Sequence, residues 1–133
     1  MIMKKKIMII DDDKELLDEL AALLVSNGYE VTAISNGKAG LEMIPKVLPD
    51  LLLLDLKMDG MSGFRVADKI NCSSDAKTIP IIAMSGHYSP EEYSLILKIC
   101  GIKRCITKPF SPEMILNEVK NALSKDTVSS CNI

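Results

Sequence analysis

Tryptophan is missing from this 133-residue chain, aromatics make up only 4% of it, and there is a single histidine. With 47% hydrophobic residues and so few rings, the interior has to be aliphatic, built from Leu, Ile, Val and Met. Cysteine is present but unpatterned. Cys72, Cys100, Cys105 and Cys131 form no C-x-x-C pair and have one histidine for company, a poor zinc set and a poor disulfide framework. The expectation is free thiols in a reducing cytoplasm. An excess of positive charge is also lacking: the formal net charge is -2, which argues against a nucleic-acid binder that works by bulk charge. No segment approaches the roughly 18 apolar residues of a membrane span. The opening "MIMKKKIMII" has only Ile7 to Ile10 as its apolar stretch before three aspartates, short of the roughly 7–15 residues of a signal-peptide core. The closing "CNI" is one residue short of a prenylation box. Together these point to a cytoplasmic protein with neither membrane nor nucleic acid as partner.

What the chain does have is alternation, within a length that fits one domain. "KIMII" (6–10) reads as a buried strand. "KELLDELAALLVSNG" (14–28) places apolar residues at 16, 17, 20, 21, 24 and 25, a helical stripe ending at Asn27-Gly28. "YEVTAI" (29–34) alternates like an edge strand, and "GKAGLEMIPKVL" (37–48) is a weaker helix interrupted by Pro45. A third strand, "LLLLD", precedes the helix "SGFRVADKIN" (62–71) behind a Ser cap. "IPIIAMS" (79–85) is a fourth strand, and "SPEEYSLILKICG" (89–101) a helix with Ser at its cap and Pro in its first turn. A short strand around "KRCIT" (103–107) and the helix "SPEMILNEVKNALSK" (111–125) complete the series. The fold class is therefore α/β: a doubly wound five-stranded parallel sheet with right-handed crossovers, strand order 2-1-3-4-5. Residues 1–125 form the domain, and 126–133, "DTVSSCNI", have no pattern and read as a flexible tail.

The most informative stretch is "PDLLLLDLKMDGMSG" (49–63). Leu51 to Leu54 have no polar face, as suits a strand covered on both sides. Asp55 at its tip is either solvated or needed by something nearby, since a lone buried carboxylate is costly. In sheets of this kind ligands sit beyond the carboxyl ends of the strands, where strand order reverses. At those ends stand Asp11-Asp12-Asp13 after the first strand, Asp55 on the third, Ser85-Gly86 at the fourth and Thr107-Lys108-Pro109 at the fifth. Neighbouring first and third strands would bring Asp11, Asp12 and Asp55 together. Uncompensated, at least one of the three should hold its proton near neutral pH. A hard divalent cation resolves the conflict: Mg²⁺ takes one or two carboxylates, keeps several waters and leaves room for a phosphoryl oxygen. Lys108 adds a positive charge that can pair with Asp55 or a phosphoryl oxygen, and Ser85 offers a hydroxyl. Acids, metal, lysine and hydroxyl are the parts of a phosphoryl-transfer site with a carboxylate nucleophile.

Over roughly residues 5–124 these motifs resemble the receiver domain of two-component response regulators, in its single-domain, CheY-like kind. "IIDDD" resembles the acidic pair, "LLLLDLKMDGMSG" the phosphorylation-site loop, "AMSGH" the switch hydroxyl with its small neighbour, and "ITKPF" the lysine-proline motif. The resemblance implies Asp55 as phosphoacceptor, with Asp11 and Asp12 as the acidic pair. Of these, Asp12 would bind Mg²⁺ directly and Asp11 mainly through water, while the backbone carbonyl of Lys57 completes the protein's share of the metal shell. Ser85 would hydrogen-bond the phosphoryl group and Lys108 would pair with it, with the Lys108-Pro109 bond cis. It further implies a sensor histidine kinase or histidine phosphotransfer protein as donor, a downstream target that the residues do not name, and a monomer or weak phosphorylation-dependent dimer without an output module in the chain. Asp59 and Lys14 stand where the family often has Pro, Gly86 where Ala is usual, and Cys105 where a Tyr or Phe normally reports the switch.

Plainer readings exist for single residues. Asp13 reads as a helix N-terminal acid and cap favoured by the macrodipole. His87 reads as a rim residue, Cys72, Cys100 and Cys131 as inert thiols, and the methionines as core filler. A haloacid-dehalogenase-type phosphatase would want an acid two residues after the nucleophile, where this chain has Lys57. A flavodoxin-like flavin binder would need Ser, Thr and Gly after the first strand, where three aspartates would repel a phosphate. A receiver-like scaffold that is never phosphorylated is the remaining alternative.

Overall fold

The structure is a computed structural model and describes residues 3–73, 78–86, 90–124 and 130–132. Strand β1 (Lys6–Ile10) is followed by α1 (Lys14–Ser26), β2 (Glu30–Ile34), α2 (Gly37–Val47), β3 (Leu51–Asp55) and α3 (Gly63–Asn71). The chain continues through β4 (Ile81–Ser85), α4 (Pro90–Ile99), β5 (Arg104–Thr107) and α5 (Pro112–Leu123) to a short β6 (Ser130–Asn132). All pairings are parallel, and the sheet runs β2-β1-β3-β4-β5-β6. The five expected strands thus lie in the expected order. The sixth lies in the stretch expected to be a patternless tail, where it pairs with β5.

Period-two alternation divides the core into two layers. Met8, Ile10, Leu52 and Leu54 turn to one face, against Val66, Ala67 and Ile70 of α3 and Ile44 of α2. Ile7, Ile9, Leu51 and Leu53 turn to the other, against Leu17, Leu20 and Leu24 of α1 and Ile115 and Val119 of α5. Leu51 to Leu54 are completely buried. The run has no polar position because neither face meets water, and each such side chain contributes about 1.5–3 kcal/mol by leaving it.

Local signals set the helix starts. Asp13, Asn36, Ser62 and Ser111 each cap a helix by accepting a hydrogen bond from a first-turn amide, each cap worth ~1 kcal/mol. Asp13 does so for both Glu15 and Leu16. Pro45 does not interrupt α2 as expected: the helix continues through it and ends two residues later, at Val47, with Leu48 in the left-handed region at φ 53°. The expected Ser89 cap and His87 lie outside the described residues.

The expectation of four free thiols is also corrected. Cys72 and Cys100 are free, but Cys105 is disulfide-bonded. The spacing of cysteines in sequence does not reveal which residues the fold brings together.

Candidate functional site

Strand register places the polar residues at one end of the sheet. Ile10 of β1 lies opposite Leu54 of β3, so Asp11 and Asp55 come next on adjacent strands. Asp55 in turn lies opposite Met84 of β4, with Ser85 next in the chain, and Ser85 lies opposite Thr107 of β5, with Lys108 next. Residues 97 positions apart in the chain are thereby brought into contact. The Lys108 ammonium donates to Asp11 Oδ2 at 2.8 Å and lies 3.3 Å from Asp55 Oδ1. The cis Lys108-Pro109 peptide follows β5, and the Lys108 amide donates to the Ser85 carbonyl at 2.8 Å.

Carboxylate oxygens of Asp11, Asp12 and Asp55 all lie within 4.8 Å of one another. Asp11 and Asp55 are buried, while Asp12 is exposed at the mouth. The loops hold these carboxylates by backbone donors: Asp13 N–H to Asp11 Oδ1 at 2.9 Å, Lys57 N–H to Asp55 Oδ1 at 3.4 Å, and Asp59 N–H to Asp12 Oδ2 at 3.1 Å. The last of these ties the β3–α3 loop to the β1–α1 loop across the site. Asp59 plays this part through its backbone, so its departure from the more usual proline supplies an amide donor that proline lacks.

Electrostatics follow from burial and crowding. Desolvation, and then the negative charge of Asp11, raise the Asp55 pKa from 3.8 to about 6, against the lowering influence of Lys108 and the Lys57 amide. The shift runs in the direction expected for crowded acids, but with a pKa of about 6 Asp55 is mostly ionised at pH 7, so the expectation of a proton held near neutral pH is met only in direction. Burial disfavours the Lys108 ammonium, but its hydrogen bond to Asp11 and the charges of Asp11 and Asp55 prevail, and its pKa is raised. The lysine is therefore a fixed positive charge and not a base.

A family model described as the response regulator receiver domain matches residues 7–120. The chain belongs to that family. Among curated relatives, this receiver domain is 29% identical over 124 residues to the DNA-binding response regulator MtrA of Mycobacterium leprae (strain TN), covering 93% of this chain and 53% of that protein. It is 29% identical over 119 residues to the sensory transduction protein RegX3 of Mycobacterium bovis, covering 90% of this chain and 51% of that protein. It therefore spans about half the length of the curated relatives it matches. Chemotaxis protein CheY4 of Vibrio cholerae superposes with a TM-score of 0.86 at 27% identity, covering 91% of this chain and all of that one. A CheY-like receiver domain protein from Methanospirillum hungatei JF-1 does so with 0.86 at 29% identity, covering 92% and 96%. The two-component receiver function is thus shared, and the domain is a signalling module rather than a classical enzyme. Among the described residues no helix is long and apolar enough to cross a membrane.

Sequence patterns did not single out three supporting features. Gly63 opens α3 so close beneath the site that a Cβ there would overlap the Asp55 carbonyl oxygen and lie 2.7 Å from Leu56 Cα. Asp50, before β3, accepts from the Lys6 amide at 2.8 Å and helps set the β1–β3 register that aligns the acids. Arg104 and Glu118 form a nearly buried ion pair at 3.5 Å between β5 and α5. The glycine signal was present in "DGMSG"; the two polar partnerships join residues far apart in sequence and leave no local pattern.

Proposed function

We propose that the domain is a phosphoacceptor in a two-component phosphorelay, with Asp55 taking a phosphoryl group from the phosphohistidine of a sensor histidine kinase or histidine phosphotransfer protein. The observation that carries this reading is the meeting of the Asp11, Asp12 and Asp55 carboxylates within 4.8 Å, with the Lys108 ammonium 3.3 Å from Asp55. An Asp55 carboxylate oxygen attacks phosphorus, the N–P bond breaks, and the imidazole departs. Lys108 would balance charge on the phosphoryl oxygens, and the buried Ser85 would offer them its hydroxyl.

The donor set fits Mg²⁺: hard oxygen ligands, few of them, two buried and one exposed. Asp11, Asp12, Asp55 and the Lys57 carbonyl would hold the ion, which when bound offsets the carboxylate charge and polarises phosphoryl oxygens. Self-dephosphorylation is slow in this reading, and the domain works where its phosphodonor does, in the cytoplasm. Its downstream target is a protein that reads the altered surface.

The test incubates the protein with Mg²⁺ and acetyl phosphate and measures intact mass, with beryllofluoride binding in parallel. A phosphoryl adduct in wild type but not in Asp55→Asn supports the proposal. If wild type takes up neither the phosphoryl group nor beryllofluoride, the domain is a receiver-like scaffold that is not phosphorylated.

A further inference from the structure

Cys105 occupies the middle of β5, fully buried and disulfide-bonded. Cys72 and Cys100 carry free thiols, which leaves Cys131. Backbone register leads to the same residue: in the parallel β5–β6 pair, Cys131 lies directly opposite Cys105. We propose that Cys105 and Cys131 form a thiol–disulfide site whose co-reactants are low-molecular-weight disulfides and thiols, and that its oxidised form fastens β6 over the edge of β5.

The exchange balances without any further reagent. A thiolate of one cysteine attacks a sulfur of the small disulfide and expels one small thiolate, giving a mixed disulfide. The second cysteine's thiolate then attacks the protein sulfur of that bond and expels the other. The two protein thiol protons end on the two released thiols, and two electrons pass from the protein to the small disulfide. Excess small thiol runs the same steps backwards.

A covalent tie matters here because β6 is so short. Three residues on a sheet edge supply few ladder bonds, at the short end of the usual strand range. With the bond closed, β6 occupies the outer edge of β5. With it open, β6 leaves and exposes a row of unpaired backbone donors and acceptors on β5. Cys105 is reached by small thiols through this same fraying, which links access to the bond with release of the strand. Redox state would therefore decide whether the β5 edge is covered by the chain's own terminus, whatever the state of Asp55.

The test uses the full chain, equilibrated with oxidised or reduced glutathione, alkylated and digested with trypsin without reductant. In the oxidised sample, peptides 105–120 and 126–133 should appear as one linked species. That species should vanish in Cys131→Ser and persist in Cys72→Ser. Amide hydrogen exchange should show loss of β5 protection in the reduced protein and in Cys131→Ser alike, a variant that leaves the buried Cys105 in place. A Cys105 that stays unlinked in oxidised glutathione, or links to another cysteine or a second chain, overturns the site. Equal β5 protection in both redox states overturns the fastening. Neither readout involves phosphorylation, so either failure is distinct from failure of the phosphoacceptor reading.

Discussion

Lys108 is bound more closely to Asp11 than to Asp55: its ammonium is 2.8 Å from the first and 3.3 Å from the second. The lysine thus bridges Asp11 and the proposed nucleophile, Asp55. A phosphoryl group on Asp55 would draw the ammonium across this short gap, at the expense of its bond to Asp11. The charge balance at Asp55 is consequently only partial, and burial still lifts its pKa to about 6.

That lift fixes a pH dependence. Because the folded-state pKa lies above the ordinary value of 3.8, the folded protein binds the Asp55 proton more tightly than the unfolded chain does. The stability this confers is fully present below pH 3.8 and is lost as pH rises through about 6. Asp55→Asn, measured by thermal or urea denaturation without divalent ions, should be more stable than wild type at pH 7. The gain should reach up to about 3 kcal/mol, at ~1.4 kcal/mol for each tenfold difference in proton affinity between the folded and unfolded states. The gap should shrink toward pH 4. A constant gap across this range would mean that Asp55 is not the titrating group.

Mg²⁺ should reverse the penalty by replacing repulsion with ligation. Wild type should gain about 2.7 kcal/mol of stability at a Mg²⁺ concentration roughly 100 times the dissociation constant. Asp12→Ala should stay folded, since Asp12 is exposed, yet lose both this gain and phosphorylation by acetyl phosphate. Calorimetric titration would check it, and undiminished Mg²⁺ binding by the variant would remove Asp12 from the ligand set.

The strand tips were legible because parallel sheets translate chain order into spatial order. Four short motifs, each following an apolar run, had to meet at one end once the strands paired as 2-1-3-4-5. Asp13 as a cap and the all-leucine strand were legible for equally local reasons. What escaped was made by the fold itself. A three-residue strand such as β6 is too short to have a period, and nothing near Cys131 in sequence announces Cys105 opposite it. The Arg104–Glu118 pair depends on how α5 lies along β5, and no motif encodes that.

Two glycines beside the site should respond in opposite ways. A Cβ at Gly63 would overlap the Asp55 carbonyl oxygen, so the backbone carrying the phosphoacceptor would have to shift. Gly63→Ala should cost about 1–3 kcal/mol, as overpacking does, and slow phosphorylation. A Cβ at Gly86 would meet Lys108 Cβ at 3.4 Å, an ordinary contact, with a backbone conformation open to L-residues. Gly86→Ala should therefore be neutral or stabilising by about 0.4–1 kcal/mol through the unfolded chain's lost freedom. Urea midpoints for the two variants decide the matter, and a destabilised Gly86→Ala would show that the β4–α4 loop needs glycine for movement.

Lys57 should influence how long the phosphoryl group lasts. Its amide donates to Asp55 Oδ1 at 3.4 Å, which fixes the residue beside the phosphoacceptor, and its side chain is exposed at the mouth of the site. A protonated ammonium cannot accept a proton from an attacking water, and its charge favours the phosphoryl oxygens in the ground state. An amide at this position would remove that stabilisation and orient a water by hydrogen bonding. Full general-base assistance is worth about 10²–10⁴-fold, and an amide that only positions the water should give less. Lys57→Asn is accordingly expected to shorten the adduct's lifetime by about tenfold, a change of ~1.4 kcal/mol in the barrier. Decay of the phosphorylated protein after removal of acetyl phosphate, followed by intact mass, measures it directly. The same variant should retain Mg²⁺ binding, because the proposed ligand at this position is the backbone carbonyl. An unchanged decay rate would mean that the Lys57 side chain stays clear of the phosphoryl group, and lifetime would then be set by Lys108 and the depth at which Asp55 is buried.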